Sequence, residues 1–169
     1  MLAFWRNHKG TASAISGTLA ALFGLTLFAL VYDVAFVYVR RDVLKQALDY
    51  ANMAVYRAVD VDALAHGQIR IDPDAGYDAF LSHLQRNLKL NDDLSPAEGS
   101  LVAGKVEVTA FEIYNPEALP TTDPTGHPVT NVAVYSEIMA PVRPFFSWLF
   151  PNVTLRVAIL TDAPAGVVR

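Results

Sequence analysis

The chain has 169 residues, 53% of them hydrophobic, a formal net charge of -4 and no cysteine. The negative balance removes the basic surface that nucleic-acid binding needs. The missing thiols exclude disulfides, thiolate metal sites and cysteine nucleophiles. A mean hydropathy of +0.28 is high for a wholly soluble chain, and the excess lies in the N-terminal third.

Residues Thr11 to Tyr32 carry no charge, the first proline is Pro73, and no glycine falls between Gly24 and Gly67. An apolar run of roughly 20 residues is enough to cross a bilayer core. Arg6 and Lys9 precede the run as in a secretory signal. The run is too long for a cleaved signal peptide and ends in no small-x-small motif, so an uncleaved signal anchor is expected. Lys and Arg flank both ends, with Arg6 and Lys9 before and Arg40, Arg41 and Lys45 after. The positive-inside count nearly ties, and the short tail favours an N-terminus inside and a C-terminal region outside. Asp33 lies near the end of the run and is expected at the interface, as a boundary charge with Arg40 and Arg41 or as a neutralising group in a helical assembly.

Small residues recur along the span at Ser13, Gly17, Ala20, Ala21 and Gly24. They permit close approach of membrane helices, and they are also common in such helices for no special reason. The helical pattern continues past Arg40 with Leu44, Ala47, Ala51, Ala54 and Ala58 at alternating spacings of three and four. Lys45 and Asp49 form a possible i,i+4 pair. A helix from Thr11 to Val59 would be about 70 Å long, with the two small-residue faces about 140° apart. The alanine seam packs either on neighbouring chains or on the chain's own C-terminal region.

The stretch from Asp60 to Gly76 reads as a loop with Gly67, Pro73 and Gly76. Asp72-Pro73 is a helix start, followed by an apolar face at Tyr77, Phe80, Leu81, Leu84 and Leu88 that ends near Leu90. Three alternating segments follow, around Val106–Ala110, Val132–Ile138 and Val153–Ile159, each with one polar side. They predict a three-stranded antiparallel sheet with one face packed on a helix, an α+β fold. Pro116 to Pro128 reads as an irregular connector. Pro141 to Pro151 is a second, and holds Phe145, Phe146, Trp148, Leu149 and Phe150. These aromatics read either as an exposed interaction patch or as a loop folded over the sheet. The expected organisation is a cytoplasmic tail (1–10), a membrane helix (11–39), its extramembrane extension (40–59) and an extracytoplasmic α+β domain (60–169).

Little here points to chemistry. Asp72, Asp74 and Asp78 resemble a calcium loop only loosely, with glycine at the fifth rather than the sixth position and His83 where the bidentate Glu belongs. Helix capping explains Asp72 better. His8, His66, His83 and His127 have no ligand spacing. Asn152-Val153-Thr154 is a glycosylation sequon, meaningful only in a eukaryotic secretory setting. No nucleophile elbow, phosphate loop or zincin motif occurs. Neither an enzyme, a metal, a cofactor nor a small-molecule substrate is expected.

Lys9-Gly10 before the apolar run, and the stretch YDVAFVYVRRDVLKQALDYANMAVYR ending at Arg57, resemble the TadE/TadG-like proteins of bacterial tight-adherence (Flp-type) pilus systems. The resemblance covers about the first third of the chain. It implies a minor pilin or pseudopilin with its C-terminal domain outside the cytoplasmic membrane. Its partners would be pilin-like subunits and an inner-membrane assembly platform. Gly10 would be the processing site and Gly17, Ala20, Gly24, Ala47, Ala51, Ala54 and Ala58 helix-packing positions. Prepilin-like members carry Glu five residues after the cleavage glycine, and here that position is Ile15. The departure favours an uncleaved, membrane-embedded assembly component. The alternative from another class is a membrane-tethered binding module, with the sheet and the Phe145–Phe150 segment as its recognition surface.

Overall fold

The computed structural model describes residues 8–148 and 151–163, with side chains from Ala12 on. Arg6, Leu149 and Phe150 lie outside the described residues.

Helix α1 (His8–Val55) is one unbroken helix of 48 residues. It starts before the expected Thr11 and stops before the expected Val59, where a 3₁₀ turn (Tyr56–Ala58) closes it. The absence of proline and internal glycine beyond Gly24 lets it run so far. In its apolar half, the Thr18 hydroxyl donates to the Ala14 carbonyl and the Thr26 hydroxyl to that of Leu22. Those bonds hide polarity that a hydrocarbon surrounding would not tolerate. Among the described residues this is the one helix long and apolar enough to cross a membrane, and its most apolar window is 6% buried.

After α1 the chain makes an excursion closed at its base. Val59 bridges Ile71, and the Asp60 N–H donates to the Arg70 carbonyl at 2.8 Å. Inside this excursion, where a loop was expected, lies the short helix α2 (Val61–Ala65), capped by the Asp60 side chain on the amides of Asp62 and Ala63. Helix α3 (Pro73–Leu88) starts as the sequence indicates, with Asp72 Oδ1 accepting from the Ala75 amide at 2.9 Å. It ends at Lys89, which adopts the left-handed conformation.

The main sheet is antiparallel, ordered β1-β4-β5, with β1 at Glu107–Tyr114, β4 at Ala133–Val142 and β5 at Val153–Asp162. The α+β class and the three-stranded antiparallel sheet are as expected. Helices α1 and α3 cover one face. Phe80 of α3 meets Phe111 of β1 with ring centroids 4.8 Å apart. Leu44, Leu48, Ala51 and Val55 of α1 share one core with Phe80, Leu84, Leu88, Val134, Ile138 and Val157.

Three details depart from the expectation. Thr109 is an extra residue in β1, since Val108 pairs with Ile138 and Ala110 with Glu137. That bulge reverses the alternation, so Val108, Phe111 and Ile113 reach the core while Ala110 turns to the opposite face. The opposite face is also partly covered. Ala133, Tyr135 and Val129 form a second, smaller cluster. It lies under the first connector, which is less irregular than expected: a 3₁₀ turn (Pro116–Ala118) and a two-residue pairing of β2 (Thr121–Thr122) with β3 (Pro128–Val129). Pro141, expected in the second connector, belongs to β4. Its carbonyl accepts from Ala103, so its missing N–H faces the side where β1 has already ended.

Candidate membrane-boundary site

The alanine seam of α1 is not free. Ala47, Ala51 and Ala54 are buried and Ala58 is half-buried, with Ala47 and Ala51 in the core of the chain's own domain. Of the two readings of the seam, packing on the chain's own C-terminal region is the one the structure has. The expected Lys45–Asp49 pair is not among the ion pairs of the described residues; Asp49 instead accepts from the Thr161 hydroxyl at 2.8 Å. Gly17, Ala20 and Gly24 sit on the exposed part of α1, and no heavy atom from elsewhere in the chain lies within 4 Å of where a Cβ on Gly17 or Gly24 would be. Gly10 is within α1.

The described part of the second connector does not fold over the sheet. It turns back along α1 and closes on Asp33. The Phe146 amide donates to Asp33 Oδ1 at 3.0 Å, leaving Asp33 only 4% exposed. Rings fix the contact around this bond. Tyr32 lies 5.1 Å from Phe145 and 5.9 Å from Phe146, Phe36 lies 5.9 Å from Phe145, and the two connector phenylalanines are 5.0 Å apart, all centroid to centroid. Edge-to-face rings of this kind add about 0.5–1.5 kcal/mol per pair beyond area burial. The Arg40 guanidinium sits over Phe36 at 4.8 Å, while Arg41 is exposed. Phe145 remains 57% exposed and Trp148 80%, whereas Phe146 is half-buried.

Tyr32, Phe36 and Pro144 escaped the sequence reading. One signal was present: Phe28, Tyr32, Phe36 and Arg40 recur every four residues and so share a helix face. The partner of that face lies more than a hundred residues away in a connector without periodicity, so spacing could not pair them.

Beside Asp33 a groove of about 730 Å³ runs between α1 and the start of β5. Leu30, Val34 and Val37 line one wall and Pro144, Val153 and Leu155 the other, with Asp33 and Arg41 as the charged lining groups. Asp33 Oδ2 is buried and has no hydrogen-bond partner. Leaving such an oxygen unpaired costs about 1–3 kcal/mol. The arrangement can hold an amphiphile. Among the described residues no three His, Asp or Glu side chains come together in a metal-holding group. The acidic segment after Asp72 serves α3: Asp72 caps it and Asp74 lies in its first turn. His83 faces Arg57 at 3.3 Å, where burial and the Arg57 and Arg86 charges lower its pKa.

Comparison with protein-family models, curated proteins and solved structures finds no match to this chain.

Proposed function

We propose that this chain is a membrane-anchored structural or assembly subunit, of the kind the TadE/TadG-like resemblance implies, working by helix packing within the bilayer. The observation that carries the reading is the division of labour along α1. From Ala12 to Val43 nearly every side chain is exposed, including Leu19, Leu22, Phe23, Leu25 and Phe28. From Leu44 to Val55 the same helix is part of the domain's core. Exposed apolar surface on that scale needs lipid or other helices around it. Because the helix is unbroken, whatever holds the membrane half also fixes the domain.

On this reading the chain crosses the cytoplasmic membrane once, N-terminus inside, and carries its sheet domain outside. The aromatic residues Tyr32, Phe36, Phe145 and Trp148 mark the outer boundary, where such rings favour the headgroup region. Pilin-like subunits and an inner-membrane platform are the proposed partners, meeting the exposed small-residue face at Gly17, Ala20 and Gly24. The binding-module alternative loses ground because the anchor helix supplies the domain's core and the domain is therefore not a separable module.

The test uses the cysteine-free background. Gly17→Cys in native membranes is expected to crosslink to neighbouring chains, whereas Ala51→Cys, buried in the chain's own core, is not. A monomeric protein with no crosslink at Gly17 would sink the assembly reading.

A further inference from the structure

The groove beside Asp33 presents a need that the chain itself does not meet. Asp33 Oδ1 is satisfied by the Phe146 amide, while Oδ2 is buried without a donor. Among the described residues it is the one buried side-chain oxygen or nitrogen so placed. Buried polar side-chain atoms in native interiors nearly always have a hydrogen-bond partner, so an unpaired one calls for one from outside the chain. Beyond Asp33 the lining is apolar on both walls, apart from Arg41 and the hydroxyl of Tyr38. Arg41 lies about 12 Å further along the helix axis at its Cα, and helical side chains lean toward the N-terminus, which brings the guanidinium back toward Asp33. Arg40 is engaged over Phe36, leaving Arg41 as the cation facing the groove. A fitting occupant has a hydrocarbon tail, an anionic group for Arg41 and a cationic N–H donor for Asp33.

We propose that the groove binds a phospholipid whose headgroup carries a primary ammonium. The ammonium donates to Asp33 Oδ2, the phosphate pairs with Arg41, and the upper acyl chain lies along Leu30, Val34 and Leu155. The proposal rests on the membrane-anchored reading, which puts the mouth of the groove at the depth of the headgroups. It also sets an order among lipids. A quaternary ammonium has the charge but no N–H, so it cannot satisfy the buried oxygen. A glycerol headgroup has donors but no cation. Bidding for a buried carboxylate oxygen, the primary ammonium offers both.

Native mass spectrometry of the full chain in detergent, titrated with phosphatidylethanolamine and with phosphatidylcholine of the same acyl chains, reads this directly. Wild type is expected to retain the ethanolamine lipid roughly tenfold better, the lower end of what one hydrogen bond to a charged group contributes. Asp33→Asn keeps an oxygen for the Phe146 amide and replaces the unpaired acceptor by a donor, so the preference is expected to vanish while the unfolding temperature holds. Val34→Trp, at a position 49% exposed, fills the groove without disturbing the core and is expected to lower retention of both lipids. Equal retention by wild type, a preference that survives Asp33→Asn, or a lipid-free dimer with the groove closed by a second copy overturns the proposal. Flotation with liposomes after alkaline extraction separates the two levels. A chain stripped from the bilayer sinks the anchored reading together with this one, and a chain that floats but does not discriminate sinks the headgroup site alone.

Discussion

Asn52 is fully buried where α1 meets the sheet. Its amide donates to the Thr161 hydroxyl at 3.2 Å and to the carbonyls of Val134 and Ile159 at 3.3 and 3.4 Å, and its oxygen accepts from the Ser136 hydroxyl at 2.7 Å. One side chain thus ties the helix to two strands and fixes its register on them. Asn52→Ala leaves Ser136 unpaired and opens a hole, so thermal unfolding in detergent should show a loss of about 2–3 kcal/mol. Asn52→Asp, which turns acceptors toward two carbonyls, should cost more. On the other face Glu137 is buried among the Arg156 guanidinium at 2.7 Å, the Thr109 hydroxyl at 2.6 Å and the Tyr135 hydroxyl at 3.2 Å. The bonds from Arg156 and Thr109 outweigh burial and hold its carboxyl at about 2. Because the folded value is depressed, the stabilisation is present above the unfolded glutamate range and is lost as pH falls from about 5 toward 2. Glu137→Gln should flatten that acid limb in a pH series of unfolding temperatures; an unchanged limb would refute the assignment.

Helix α1 belongs to two environments at once. Leu44, Leu48 and Val55, each fully buried, bring about 1.5–3 kcal/mol apiece to the core, a sum comparable with the 5–15 kcal/mol by which whole domains are stable. A fragment beginning at Asp60 is therefore expected to aggregate without a cooperative transition, while one beginning at Asp42 should unfold cooperatively in denaturant. Cooperative unfolding of the shorter fragment would show that the helix is dispensable. Among the other elements, α3 was legible from end to end, because its cap, its proline and its apolar spacing are all local. The strands were legible as strands but not in every side-chain direction. The Thr109 bulge depends on Glu137 across the sheet, and the burial of Tyr135 and Glu137 depends on a connector that covers the second face. The hairpin tip of that connector is set by Asp123, whose carboxylate accepts from the amides of Thr125 and His127, a local device hidden among prolines.

At the scale of the molecule, two apolar sets of residues decide the shape: the exposed half of α1 and the aromatic connector that returns to its boundary. The connector covers one side of the exposed half at Asp33. The domain and the exposed half of α1 meet at this point through the continuous helix and through the contact of Phe145 and Phe146 with Tyr32, so the domain does not hang on a flexible tether. The groove left between them is where the unpaired Asp33 oxygen lies. The sequence by itself determined the long helix, the α+β class, the capped second helix and the strand segments, since each follows from periodicity and capping within a few neighbouring residues. Only the tertiary structure decided that the alanine seam is spent on the chain's own core, that the aromatic connector packs on α1 rather than on the sheet, and that Asp33 is buried with one oxygen unmet. Those outcomes join residues up to 113 positions apart, and contacts at such separation are chosen by which surfaces fit once the elements pack, a choice that no local pattern encodes.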